Sequence, residues 1–127
     1  MPSLSEHFHS NEFACSCGCG FGTNPGDVSQ ELLELLEDIR EEVGGPLRIN
    51  SGCRCSDWND EIGGAEFSRH VTGEAADIQV QGGWHRYRVQ KAAHMFDAEG
   101  VGTARSFLHV DCHHGSEDCP RPSAWVY

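Results

Sequence analysis

Histidine and cysteine bind soft and borderline metals, and this 127-residue chain carries 8 of the first and 7 of the second. Three polar residues, His70, Asp77 and His109, sit where a strand or its edge is ordinarily apolar. Alone, each has an ordinary explanation: a surface histidine in a Ser-Arg-His-Val-Thr loop, a turn-capping aspartate, a satisfied core histidine. Together they make a zinc-type ligand set of two imidazoles and one carboxylate, which leaves a fourth position for water. Between the first two, Val71-Thr72-Gly73-Glu74-Ala75-Ala76 supplies small residues that let the loop fold back on the strand carrying Asp77. Gly73 in particular permits a positive φ or a close backbone approach.

The elements that must position these residues are legible from hydrophobic spacing. Val28, Leu32, Leu36, Ile39 and Val43 recur every three or four residues, which predicts one face of a helix. Asp27 with Gln30 reads as its capping pair, and Gly44-Gly45-Pro46 ends it. Leu47 to Ser51 alternates as a short strand. A short helix is expected around Trp58 to Ile62, a strand from Ala75 to Val80, and a helix from Trp84 to Glu99 with Gly100 as its stop. Ser106 to Cys112 reads as a third strand whose period of two puts Phe107, His109 and Asp111 on one face. The expected fold class is α+β, a small antiparallel sheet with flanking helices. Residues 1–127 read as a single domain, with a Cys-rich lead-in at 1–26 and an irregular tail at 113–127.

Composition narrows the partners. Acidic residues outnumber basic ones 20 to 9, for a net charge of −11. That balance excludes a nucleic-acid or anionic-membrane surface, since either needs a cationic footprint. No run is long enough to cross a bilayer, and the start lacks a basic-then-apolar leader. The expectation is a soluble monomer without a signal peptide.

An odd number of cysteines cannot all pair within one molecule. Cys15, Cys17 and Cys19, with Cys53 and Cys55, suit either a structural zinc site or two disulfides. Cys112 and Cys119 suit a small-loop disulfide, and several of the seven also read simply as small apolar core residues. These alternatives stay open at the level of sequence.

The stretch Ser68-Arg69-His70-Val71-Thr72-Gly73-Glu74-Ala75-Ala76-Asp77 resembles the Ser-x-His-x-x-Gly-x-Ala-x-Asp signature of zinc D-Ala-D-Ala carboxypeptidases. That superfamily includes VanY- and VanX-type dipeptidases, phage endolysins, lysostaphin-like enzymes and the hedgehog domain. Ser51-Gly52-Cys53-Arg54 is similar to its Ser-Gly-Tyr-Arg motif, with Cys in place of Tyr. Phe107-Leu108-His109-Val110-Asp111 resembles the closing aromatic-x-His-Val-Asp strand of the small bacterial and phage members. The Cys-x-Cys-Gly-Cys-Gly lead-in and the stretch from Asn59 to Gly64 look like those members too, so the resemblance covers about residues 4–112.

The resemblance implies zinc held by His70, Asp77 and His109, with Arg54 and Ser68 at the substrate. It implies hydrolysis of peptidoglycan stem peptides, by a carboxypeptidase or a murein endopeptidase of endolysin type acting at the cell wall or periplasm. A non-catalytic zinc-binding module, or a phage structural component on the same fold, is the alternative. Larger members often carry a carboxylate base three residues before the last ligand. Here that position is Ser106, so Asp111 is the expected base and Arg54 the expected oxyanion partner. His113 and His114 read either as further ligands or substrate contacts, or as a solvated pair.

Overall fold

The structure, a computed structural model, describes residues 3–127; Met1 and Pro2, the first residues of the segment read as lacking a leader, lie outside them. Helix α1 spans Gln30–Val43 and buries Leu32, Leu36 and Ile39, the stripe that the spacing predicts. Its cap is Ser29, whose Oγ accepts from the Leu32 N–H at 3.4 Å, and not Asp27. Asp27 instead closes the preceding loop, where its carboxylate accepts from the Gly22 and Asn24 N–H groups at 2.9 and 3.1 Å. Gly44, at φ 81°, ends the helix in the left-handed conformation that a glycine adopts without strain.

Strand β1 (Ile49–Ser51), helix α2 (Ser56–Glu61), strand β2 (Ala75–Gln79) and helix α3 (Gly82–Met95) follow in the expected order. Next come β3 (Gly100–Thr103), β4 (Phe107–Asp111) and β5 (Ser123–Val126). The sheet runs β1-β2-β4-β3-β5, antiparallel throughout except that β5 lies parallel to β3 at the edge. The pleat divides labour between its faces. Ala76, Ile78, Val101, Leu108 and Val110 join the buried cluster formed with α1 and α3, while Asp77, His109 and Asp111 point the other way. The class is α+β, as expected.

Two strands depart from the sequence reading. Helix α3 stops at Met95 rather than Glu99, and β3 begins at Gly100. The alternation that would betray β3 is missing because the outward positions are Gly100 and Gly102. Those positions need to be bare: a Cβ on Gly100 would enter the Asp111 carboxylate, and one on Gly102 would lie 2.5 Å from Trp125 Nε1. The tail is likewise not irregular throughout, since residues 123–126 pair with β3 and place Trp125 beside Gly102.

The lead-in is anchored to the same body. Phe8 and Phe13 are buried, with ring centroids 6.2 Å apart. Glu37 of α1 accepts from the Ser5 hydroxyl at 2.6 Å and from the His7 N–H at 2.7 Å.

Because Gly100 has no room beyond its backbone, Gly100→Ala is expected to destabilise the fold by about 1–3 kcal/mol through overpacking. Gly45→Ala, which meets nothing within 4 Å, should stay within about 0.5 kcal/mol of wild type. Urea denaturation midpoints of the two variants check this.

Candidate metal centre and cleft

The β2–β4 register sets Asp77 opposite His109. His70 arrives from the loop before β2, where Gly73 at φ 73° turns the chain so tightly that a Cβ there would meet the Asp27 carbonyl. His70 Nε2 then lies 3.1 Å from Asp77 Oδ1, and His109 Nδ1 lies 3.2 Å from the same oxygen. The two rings are 5.1 Å apart, and all three residues are buried. The sequence-expected ligand set is therefore brought together at one point.

The partners on the far side of each ring decide what that point can hold. His70 Nδ1 donates to the Gly52 carbonyl at 2.6 Å, because a carbonyl can only accept. His109 Nε2 faces Asp111 Oδ2 at 2.8 Å. Asp111 is itself held by Arg121, which donates from Nε and Nη2 at 3.0 and 2.7 Å. With each outer nitrogen committed as a donor, a neutral imidazole turns its lone pair inward on both sides. Two inward lone pairs and a carboxylate oxygen around one point repel one another unless a cation sits between them or both rings are protonated. Two adjacent buried imidazolium rings are the costly alternative. The donor set fits a divalent metal, and its outer hydrogen bonds are those that orient metal-ligating histidines.

Both carboxylates of the cluster are held ionised. Burial opposes ionisation of Asp77, but hydrogen bonds from His109 and His70 outweigh it and hold the carboxyl well below the usual carboxylate range. Burial likewise opposes ionisation of Asp111, yet His109 and Arg121 bring it down to about 2. Burial disfavours a charged His109, and its bonds to Asp111 and Asp77 overcome this and raise its pKa.

Asp111 does lie on the His109 side of β4, but it does not reach the cleft. Its carboxylate is fully buried against the outer edge of the imidazole, with both oxygens taken by Arg121. In this geometry the carboxylate expected to act as a base faces the far edge of the His109 ring and is not part of the cleft lining. The period of two specified the face, while the contact with Arg121 turned the carboxylate away from the cavity.

The cleft above the centre has a volume of about 710 Å³ and includes Arg54, Ser68, His70, Asp77 and His109 in its lining. The Arg54 side chain is partly buried, 13% exposed. Its Nη1 donates to Asn59 Oδ1 at 3.0 Å, and its Nη2 is 3.9 Å from Asp77 Oδ2. Its Nε has no partner, so a buried donor remains for something that enters the cleft. The Ser68 Oγ accepts from the His70 N–H at 3.3 Å. His113 and His114 line no part of this cleft; they face Glu74 and Glu31 respectively.

The opposite wall was missed from sequence. Arg121, Trp125 and Tyr127 all come from the tail. Trp125 lies with its ring 5.1 Å from that of His109, and the Arg121 guanidinium sits 5.1 Å from the Trp125 ring. The available signal was the short apolar run Ala124-Trp125-Val126-Tyr127, too short to stand out after two prolines.

The sequence model for peptidase M15 matches residues 6–111, most of the chain. The chain therefore belongs to the peptidase M15 family, whose members are metal-dependent peptidases. No curated protein matches it closely enough to count as a relative. The family match ends at Asp111, so the tail wall with Arg121 and Trp125 lies beyond it. Among the described residues, no helix is long and apolar enough to cross a membrane.

If Asp111 orients His109 rather than reacting, Asp111→Asn should still bind metal, with affinity reduced about 10–100-fold. His70→Ala, which removes a ligand atom, should abolish binding at this centre. Chelator-competition titration of both variants makes the comparison.

Proposed function

We propose that the protein is a zinc peptidase that hydrolyses peptidoglycan stem peptides, as a D-Ala-D-Ala carboxypeptidase or a murein endopeptidase of endolysin type. The observation that carries this reading is the convergence of His70 Nε2, Asp77 Oδ1 and His109 Nδ1 at the floor of a cleft that also holds an under-bonded arginine. Zinc held by His70, Asp77 and His109 would supply Lewis acidity toward water and the scissile carbonyl. Zinc suits two imidazoles and a carboxylate better than calcium or magnesium, which prefer all-oxygen shells.

The chain's own groups do the remaining work. Arg54 presents a fixed cation with a free Nε–H, suited to the oxyanion of a tetrahedral intermediate or to a substrate carboxylate. Gly64 keeps this arginine in place, because a Cβ there would collide with Asn59 and come within 2.9 Å of Arg54 Nη1. The Ser68 hydroxyl is free to donate to a substrate carbonyl or carboxylate while it accepts from His70. Trp125 and Tyr127 give the cleft an apolar side against which a short peptide packs, excluding water from the reacting bond. A peptide of the cell wall is a small ligand recognised at short range, so the overall acidic charge does not oppose it. The protein acts in this reading as a monomeric single domain at the cell wall or periplasm.

One observation favours the alternative, a non-catalytic zinc-binding module or a phage structural component. With Asp111 turned away, the cleft's carboxylates other than Asp77 are Glu66 and Asp118, and neither makes a hydrogen bond to the centre. Mass spectrometry of purified muropeptides incubated with zinc-loaded protein separates the readings. Loss of a terminal D-Ala identifies a carboxypeptidase, and an internal cut identifies an endopeptidase. Intact muropeptides would leave the binding module.

Arg54→Ala should cut turnover by about 10²–10³-fold with zinc content unchanged if it meets the oxyanion. A raised KM at near-normal kcat would make it a carboxylate anchor instead. Steady-state kinetics beside metal analysis decides which.

A further inference from the structure

Away from the cleft, Cys15, Cys17, Cys19 and Cys55 bring one sulfur each to a common point, all within 4.8 Å of one another. Sγ of Cys15 is 3.5 Å from that of Cys17 and 3.9 Å from that of Cys55, and Cys17 and Cys55 are 3.6 Å apart. A tetrahedron with zinc–sulfur bonds of about 2.3 Å has sulfur–sulfur edges of about 3.8 Å. A disulfide would need about 2.05 Å, and none of the seven cysteines is in one. We infer that these four cysteines form a second, structural zinc site of tetrathiolate type, independent of the His-Asp-His centre.

The local backbone is built for it. Alternate residues of an extended chain stand roughly 6.5–7 Å apart, so Cys15 and Cys17 meet only because the loop is curled. Gly18 at φ 84° and Gly20 at φ 95° curl it, in a region of φ that a side chain disfavours. The turn is closed by the Cys15 N–H to the Phe21 carbonyl at 2.8 Å and the Gly18 N–H to the Cys15 carbonyl at 3.1 Å. Two further N–H groups already point at sulfur: Cys55 N–H to Cys15 Sγ and Trp58 N–H to Cys55 Sγ, each at 3.4 Å. Cys17 and Cys19 are exposed, which leaves an entry path, and thiolates select zinc over the hard cations.

Cys53 is not a ligand. It is buried in the core with its sulfur towards the Asp27 carbonyl at 3.8 Å. Its backbone nonetheless explains what the site is for. The Cys53 N–H donates to the Phe13 carbonyl at 2.8 Å, and Gly52 packs on Phe13 so closely that a Cβ would lie 2.7 Å from its Cα. Gly52 in turn accepts from His70, and the Arg54 N–H donates to the His70 carbonyl at 3.0 Å. Zinc at the four thiolates therefore clamps the lead-in to the segment 52–55 that orients His70 and Arg54.

The test is metal content of full-length protein purified anaerobically from zinc-replete cells. About two zinc ions per chain are expected. His70→Ala should keep one, and Cys17→Ser/Cys19→Ser should keep the other. Cobalt substitution adds a readout of ligand type: intense sulfur-to-cobalt charge-transfer bands should persist in His70→Ala and vanish in the double serine variant. Should that variant not fold, mercurial titration of the wild type answers the same question. An organomercurial should release one zinc per chain to a chromophoric chelator while the other stays bound. A single zinc lost on His70→Ala, iron in the thiolate site, or disulfides among these four cysteines under anaerobic purification would overturn the inference.

Discussion

A buried carboxylate held between two imidazoles is the constraint on which the rest of this structure depends. Asp77 carries its charge inside the protein, and the groups that make this tolerable are His70 and His109. Each ring can serve only if its other nitrogen is fixed, so each has a dedicated acceptor: the Gly52 carbonyl for His70 and the Asp111 carboxylate for His109. Those acceptors impose requirements of their own. Asp111 needs Arg121, and Gly52 needs the Phe13 backbone beside it. Contacts from both the lead-in and the tail thus hold the three inward atoms of this cluster at one point.

This explains why the sheet has two unlike faces. On the side covered by α1 and α3, apolar residues interlock and supply the cohesion that a small domain needs. On the other side, the same strands carry charge and glycine. Gly100 and Gly102 add nothing to the core, yet they leave room for Asp111 and Trp125. Stability is concentrated on one face so that the other is free to carry buried polar groups in fixed geometry.

The orientation of Asp111 follows from the same logic. A carboxylate next to a ligand histidine can face the reacting water or the far side of the ring, and the two placements differ by a rotation about the side chain. Arg121 selects the second, since a bidentate charge-assisted pair is stronger than anything the open cleft offers. Asp111 thereby fixes the His109 ring from outside the cleft.

The residues of the His70-Asp77-His109 cluster, the helix stripe and the strands β1, β2 and β4 were legible in sequence because they obey local rules. Leu32, Leu36 and Ile39 repeat with the helical period, and His109 is polar in an apolar strand. The stretch from Ser68 to Asp77 stood out through its resemblance to a known signature. The strand β3 was not legible, because glycines erase the alternation that marks a strand. Nor was β5, whose pairing with β3 is parallel and brings together residues 23 positions apart in sequence, such as Gly100 and Ser123. Arg121 gave no sign of its partner, since a salt bridge ten residues long in sequence leaves no periodic trace. The four-cysteine cluster lay between these cases: the types and the glycine spacers were visible, but the choice among zinc, disulfide and core depended on distances. Sequence alone singled out which residues are of types that can do chemistry, because residue type and local spacing are local properties. Tertiary structure decided which way each group faces, because orientation is set by partners that the chain meets only after it folds.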